Sequence, residues 1–124
     1  VPIAPEELRK RTKAFAVRIV RTYRSLPRTA DSQVIGKQLL RRGTSVAANH
    51  VAPSYRAACR GRSRAEWIAN IGLVVEEADE TVFWLEMLSD CDIVPSGRCA
   101  DILKEARELS AIFTASQHTA RRVG

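Results

Sequence analysis

The sequence predicts an all-α protein, an antiparallel up-and-down four-helix bundle, on three observations. Apolar residues recur at alternating threes and fours in four separate stretches, the period of a helix with one buried stripe. Of the 124 residues 45% are hydrophobic but only 6% aromatic, so the core is built from Leu, Ile, Val and Ala, which suits helices packed closely side by side. The connections are short and rich in Pro, Gly, Ser and Asp, and short connections make consecutive helices antiparallel neighbours. The helices are expected at roughly 6–26, 31–51, 63–89 and 97–119, within one domain spanning 1–124.

Pro2 and Pro5 open the chain, and Glu6 and Glu7 occupy the first turn, where carboxylates oppose the positive end of the helix dipole. Leu8, Phe15, Ile19 and Leu26 form a narrow apolar seam, with Thr12 and Thr22 at the intermediate places, and Pro27 stops the helix. A second stripe of Ala16, Val20 and Tyr23 lies beside the seam, and a helix with two apolar faces has two partners. Lys10, Lys13, Arg21, Arg24 and Arg28 make the remaining face basic.

Thr29 and Asp31 are the candidate caps of the second helix, whose seam is Ile35, Leu39, Val46 and Asn49. Gly36, Gly43, Ala47 and Ala48 are small enough to admit a close neighbour. Pro53 cannot donate to the helix ladder, so a break or kink is expected between His50 and Ser54. Ser63 and Glu66 form a capping box for the third helix, with a seam of Trp67, Ile71, Val74, Ala78, Thr81, Leu85 and Leu88. The opposite face carries Glu76, Glu80 and Glu86. After the turn-rich stretch from Ser89 to Gly97, a fourth helix starts near Ser96 to Arg98. It repeats Ile102, Ala106, Leu109, Phe113 and Ser116, broadened by Leu103 and Ile112, and the tail from Thr119 is expected to fray.

Twenty Lys and Arg against fourteen Asp and Glu give a net charge of +6, which suits an anionic partner. Cys59, Cys91 and Cys99 are odd in number and lack C-x-x-C spacing, so they read as free thiols of a cytoplasmic protein rather than as disulfides or a zinc site. No apolar run approaches the ~20 residues that a membrane helix needs, and the start does not read as a signal peptide.

Glu76, Glu77, Glu80 and Glu86 invite comparison with di-iron bundles, but no Glu-x-x-His accompanies them, so neither a metal nor a cofactor is expected. His50 with Cys59 lacks a third, orienting group, and no phosphate loop or nucleophile motif occurs, which argues against an enzyme. The arginines carry the binding hypothesis. Arg56, Arg60, Arg62 and Arg64 cluster beside Tyr55, and Arg41 and Arg42 precede them, a set that could neutralise backbone phosphates of RNA or DNA. The alternative is that they pair with Glu76, Glu77 and Glu80. Trp67 reads as core, while Phe83 and Trp84 flank the seam, so that one of them faces another subunit.

Gly36-Lys-Gln-Leu-Leu-Arg-Arg-Gly-Thr-Ser-Val-Ala-Ala-Asn49, Arg-Ser-Arg-Ala-Glu-Trp67 and Glu76-Glu-Ala-Asp-Glu-Thr-Val-Phe-Trp-Leu85 together resemble the bacterial four-helix bundle proteins encoded in 23S rRNA intervening sequences. The resemblance implies a ring-like homopentamer, for which Val17, Val20, Tyr23, Phe83 and Trp84 are the candidate interface residues. A related group, the accessory variability determinants of diversity-generating retroelements, is pentameric, basic and associated with nucleic acid and a reverse transcriptase. In one respect the chain departs from the family pattern, because His50-Val-Ala-Pro-Ser54 separates the Ser-Val-Ala-Ala-Asn run from Tyr-Arg-Ala-Ala-Cys; these residues are expected to loop out. The leading expectation is a non-enzymatic oligomeric bundle that binds nucleic-acid backbone. The alternative is a homo-oligomeric protein-interaction scaffold without nucleic acid.

Overall fold

The computed structural model describes residues 3–60, 64–95 and 97–122, with the backbone alone for 52–60. Among the described residues there are four helices: α1 (Pro5–Arg24), α2 (Ala30–Arg60), α3 (Arg64–Asp90) and α4 (Ala100–Arg122). Helix α1 packs on α2, α2 on α3 and α3 on α4, and the α1–α4 edge closes the bundle through the thinnest of the four contacts.

Cross-helix pairs fix an antiparallel register. Ile19 lies against Gly43 and Tyr23 against Gly36. Asn49 bonds to Asn70 and Arg42 to Glu77. Asp79 bonds to Ser110 and Glu86 to Arg107. In each pairing the number rises on one helix as it falls on the next, as an up-and-down bundle requires.

The four predicted seams form one core. Leu8, Phe15, Ile19 and Leu26 meet Ile35, Leu39 and Val46, then Ile71, Val74, Ala78, Leu85 and Leu88, and finally Ile102, Ala106, Leu109 and Phe113. Two threonines sit within it, fully buried. Thr12 donates to the Leu8 carbonyl and Thr81 to the Glu77 carbonyl, both at 2.7 Å, so neither hydroxyl is left unpaired. On α2 the small residues act as expected: a Cβ added at Gly43 would stand 2.7 Å from Ile19 Cγ2, and one at Gly36 would stand 2.8 Å from Leu26 Cδ1. The α1–α2 hairpin thus packs at a distance that only hydrogen atoms permit at these positions.

Helix α2 departs from expectation. It continues past Pro53 to Arg60, so the predicted break and the looped-out His50–Ser54 segment are replaced by helix. A proline at 53 withdraws the N–H that would reach the Asn49 carbonyl four residues earlier. Asn70 on α3 supplies a substitute, its Nδ2 donating to that carbonyl at 2.8 Å.

Other corrections concern α3 and α4. Trp67, expected in the core, is 43% exposed near the start of α3. Glu77, which the ion-pair alternative names as a partner of the arginines, is buried. Ser116 is half-buried and Ala120 takes the last core position of α4, which stays helical through Arg122 instead of fraying at Thr119. Arg64 donates its guanidinium to the Ala120 carbonyl, one of the acceptors that every helix leaves open at its C-terminal end.

The helix ends follow sequence chemistry. Pro5 stands in the first turn of α1 with Glu6 and Glu7. Thr29 accepts the first backbone bond of α2 from Gln33 and donates its hydroxyl to Asp31 at 2.7 Å. The Ser63 half of the capping box lies outside the described residues. Helix α3 ends in a Schellman arrangement, with Ile93 N–H donating to the Leu88 carbonyl and Asp92 N–H to the Ser89 carbonyl. The left-handed residue is Asp92, at φ 55°.

Candidate nucleic-acid interface

Of the six arginines proposed for phosphate contact, the three whose side chains are described meet three different fates. Arg41 is exposed on α2 and makes no ion pair among the described residues. Arg42 is drawn between helices: its Nη1 donates to Glu77 Oε1 at 3.4 Å, and its Nε lies 2.8 Å from Glu80 Oε2, a charge contact rather than an aligned hydrogen bond. Arg64 is engaged with the end of α4. Arg42 therefore follows the ion-pair alternative, and with it the burial of Glu77 is explained, since a buried carboxylate needs a cation. The side chains of Arg56 and Arg60, and the whole of Arg62, lie outside the described residues, as do those of Tyr55 and Cys59.

Surface charge is strongly segregated. Helix α1 carries seven Arg and Lys against Glu6 and Glu7, and α2 carries five against Asp31 alone. Helix α3 inverts the balance, with Arg64 against Glu66, Glu76, Glu77, Asp79, Glu80, Glu86 and Asp90. Helix α4 is nearly balanced. The basic α1–α2 side, at +9, outweighs the acidic α3 face, at −6, and α4 with the connecting segments supplies the remaining +3 of the net +6.

Ion pairs hold the seams between these regions. Arg11 on α1 donates two hydrogen bonds to Glu105 on α4, at 2.7 and 2.5 Å, and reaches Glu108 at 3.1 Å. The Arg11 bond holds the Glu105 carboxyl below the usual carboxylate range, and Glu105 in turn raises Arg11. Arg107 pairs with Glu86 at 2.9 Å across α3 and α4. Lys10, Lys13, Arg21 and Arg24 are all exposed on α1 and form no ion pair among the described residues. The sequence showed them as a basic face, but the cluster around Arg60 drew the assignment away because it is denser along the chain.

The candidate interface residues also divide. Val17 is 42% exposed in the middle of the α1 basic face, and Phe83 is 49% exposed on the acidic face of α3. Trp84 meets the Phe83 ring edge-on, with centroids 4.9 Å apart, and packs against the core. Val20 is half-buried. Tyr23 is occupied within the chain, its ring against Gly36 and its hydroxyl donating to Gln33 Oε1 at 3.2 Å. Leu73, not singled out from sequence, joins Phe83 as an exposed apolar residue of α3.

His50 is half-buried, its ring 4.9 Å from Phe113, and burial pushes its pKa below the ordinary value. Cys99 is buried and its thiol pushed up, whereas Cys91 is exposed; neither forms a disulfide. Among the described residues no three of His, Cys, Asp and Glu come together as a group able to hold a metal ion. No described helix is long and apolar enough to cross a membrane.

Fold and surface together define an antiparallel four-helix bundle protein with opposed basic and acidic sides. The family model for 23S rRNA-intervening sequence proteins matches residues 6–115, and the chain belongs to that family. Its fold is similar to the crystal structure of a protein of unknown function from the S23 ribosomal protein family of Bacteroides thetaiotaomicron. The two are 30% identical, with a TM-score of 0.77, over 92% of this chain and 97% of that one. No curated protein sequence matches the chain.

Proposed function

We propose that this protein is a non-enzymatic oligomeric four-helix bundle that binds the phosphate backbone of RNA or DNA. The observation that carries the reading is the charge segregation: cations gather on α1 and α2, and Lys10, Lys13, Arg21, Arg24 and Arg41 form no ion pair among the described residues. Backbone binding by counterion release follows, with little sequence preference and a steep fall in affinity with salt. Anisotropy titration of labelled RNA and duplex DNA at ~50 mM salt is the test. Absence of binding to both overturns the reading.

A ring-like homopentamer in the cytoplasm is part of this proposal, supported by family membership, by the exposure of Phe83, and by free Cys91 and Cys99. Light scattering that returns the mass of a monomer would refute the ring. By resemblance to the accessory variability determinants, a reverse transcriptase is proposed as a protein partner, to be sought by co-purification that survives nuclease treatment. The second reading, a scaffold without nucleic acid, is favoured by one observation, the exposed Leu73 and Phe83 on α3. In that case Phe83→Ala abolishes assembly or partner capture while charge substitutions on α1 and α2 do not.

A further inference from the structure

We infer that the nucleic-acid contact is made by the outward face of α1, with Lys10, Lys13, Arg21 and Arg24 tracking a run of backbone phosphates, and not chiefly by the arginines between Arg56 and Arg64. The inference rests on the nucleic-acid reading above.

These four cations recur at helical spacing, so they project along one side of the helix. That side is opposite the buried stripe of Leu8, Thr12, Phe15 and Ile19. From Lys10 to Arg24 the track is about 21 Å long at 1.5 Å per residue, the axial span of about six nucleotides of one B-form strand. All four are exposed and none forms an ion pair with a carboxylate among the described residues. Their neighbours Arg9 and Arg11, by contrast, are paired with Glu6 and with Glu105 and Glu108. Exposed Lys37 and Arg41 on the adjoining α2 extend the same positive side.

The acidic face of α3 fixes the orientation of approach. Helices α1 and α3 do not pack side by side and stand at opposite corners of the bundle. A polyanion repelled by Glu76, Asp79 and Glu80 therefore meets the bundle from the α1 side. Because phosphates alone are read, RNA and DNA of unrelated sequence bind alike.

The experiment measures the dependence of log Kobs on log salt for duplex DNA, using the full chain and three triple variants. Lys13→Ala/Arg21→Ala/Arg24→Ala removes the track. Arg98→Ala/Lys104→Ala/Arg107→Ala removes the same net charge from the α3–α4 side. The expected result is a slope shallower by roughly 2 to 3 for the first variant and nearly unchanged for the second. Lys13→Arg/Arg21→Lys/Arg24→Lys keeps the charges and should keep the slope, which separates charge from any effect on folding. Equal losses in the two alanine triples, or an unchanged slope in the first, overturn the inference while leaving nucleic-acid binding in place. If the unaltered chain fails to bind, both readings fall. If the first triple lowers the assembled mass without changing the slope, the occupant of this face is the acidic α3 of a second copy, and the inference is wrong.

Discussion

The side-chain amide of Asn70 on α3 donates to the backbone carbonyl of Asn49 on α2 at 2.8 Å, the carbonyl that Pro53 leaves without its helical donor. A tertiary contact thus replaces a missing rung of secondary structure. Asn70→Ala leaves that half-buried acceptor unpaired and should cost about 1–3 kcal/mol. In a Pro53→Ala background the backbone N–H returns, and the same Asn70 substitution should cost markedly less. Urea midpoints of the four proteins in this cycle give the coupling directly; equal costs in both backgrounds would refute the substitution of one donor for the other.

Gly43 and Gly72 are both helical, yet opposite outcomes are expected on replacement by alanine. At Gly43 the new methyl stands 2.7–2.8 Å from Ile19 Cγ2 and Cγ1, in a fully buried, branched side chain that has nowhere to move. Overpacking of about 1–3 kcal/mol outweighs the gain in helix propensity. At Gly72 the new methyl would meet, among the described residues, only Gln117 Nε2 at 3.2 Å, the far end of a flexible side chain. Gly72→Ala should therefore stabilise by up to ~1 kcal/mol, read from thermal midpoints.

Asp92 occupies the left-handed position that ends α3, at φ 55°. An L side chain there is strained relative to glycine, and the Schellman bonds to Leu88 and Ser89 hold it in place. Asp92→Gly should raise stability by ~1 kcal/mol, whereas Asp92→Val should lower it. Chemical denaturation of the two variants decides the sign.

Acid should weaken the fold in two stages. His50, desolvated first by burial and then disfavoured by the charge of Arg9, has a folded pKa below 6.5. The unfolded chain therefore takes up its proton first, and stability present above pH 6.5 declines below it. Glu105, held down chiefly by its hydrogen bond from Arg11, has a folded pKa below 4.5. Its contribution is present above that pH and is lost as pH falls through the folded value. In a pH series of urea midpoints His50→Gln should flatten the first decline and Glu105→Gln the second.

The seams were legible because each rests on a period that a single helix imposes. Leu8, Phe15 and Ile19, or Ile102, Ala106, Leu109 and Phe113, need no knowledge of a partner to be recognised. Gly36 and Gly43 were legible as close-approach positions for the same reason. What the sequence concealed depends on a second helix. Pro53 reads as a break until Asn70 is brought beside Asn49, and which arginine pairs with Glu77 is open until Arg42 reaches it. Trp67 keeps the correct period but lies in the opening turn of α3, where the stripe runs out towards solvent. For the candidate interface the density of arginines along the chain proved a weaker guide than their distribution around it. Arg42 and Arg64 are engaged within the bundle, while Lys13 and Arg24, far apart in sequence from that cluster, are not.

The thin α1–α4 edge bears on how the chain reaches this structure. Broad contacts join only consecutive helices, so most native contacts close short loops, and proteins of such low contact order fold in roughly microseconds to milliseconds. Only the α1–α4 contact must wait for nearly the whole chain, and there Arg11 reaches across to Glu105 and Glu108. That edge behaves as a clasp on a strip of hairpins. Opened, it leaves the three contacts between consecutive helices in place and exposes the free edges of α1 and α4, which makes edge-to-edge association of opened chains the characteristic hazard of this topology at high concentration.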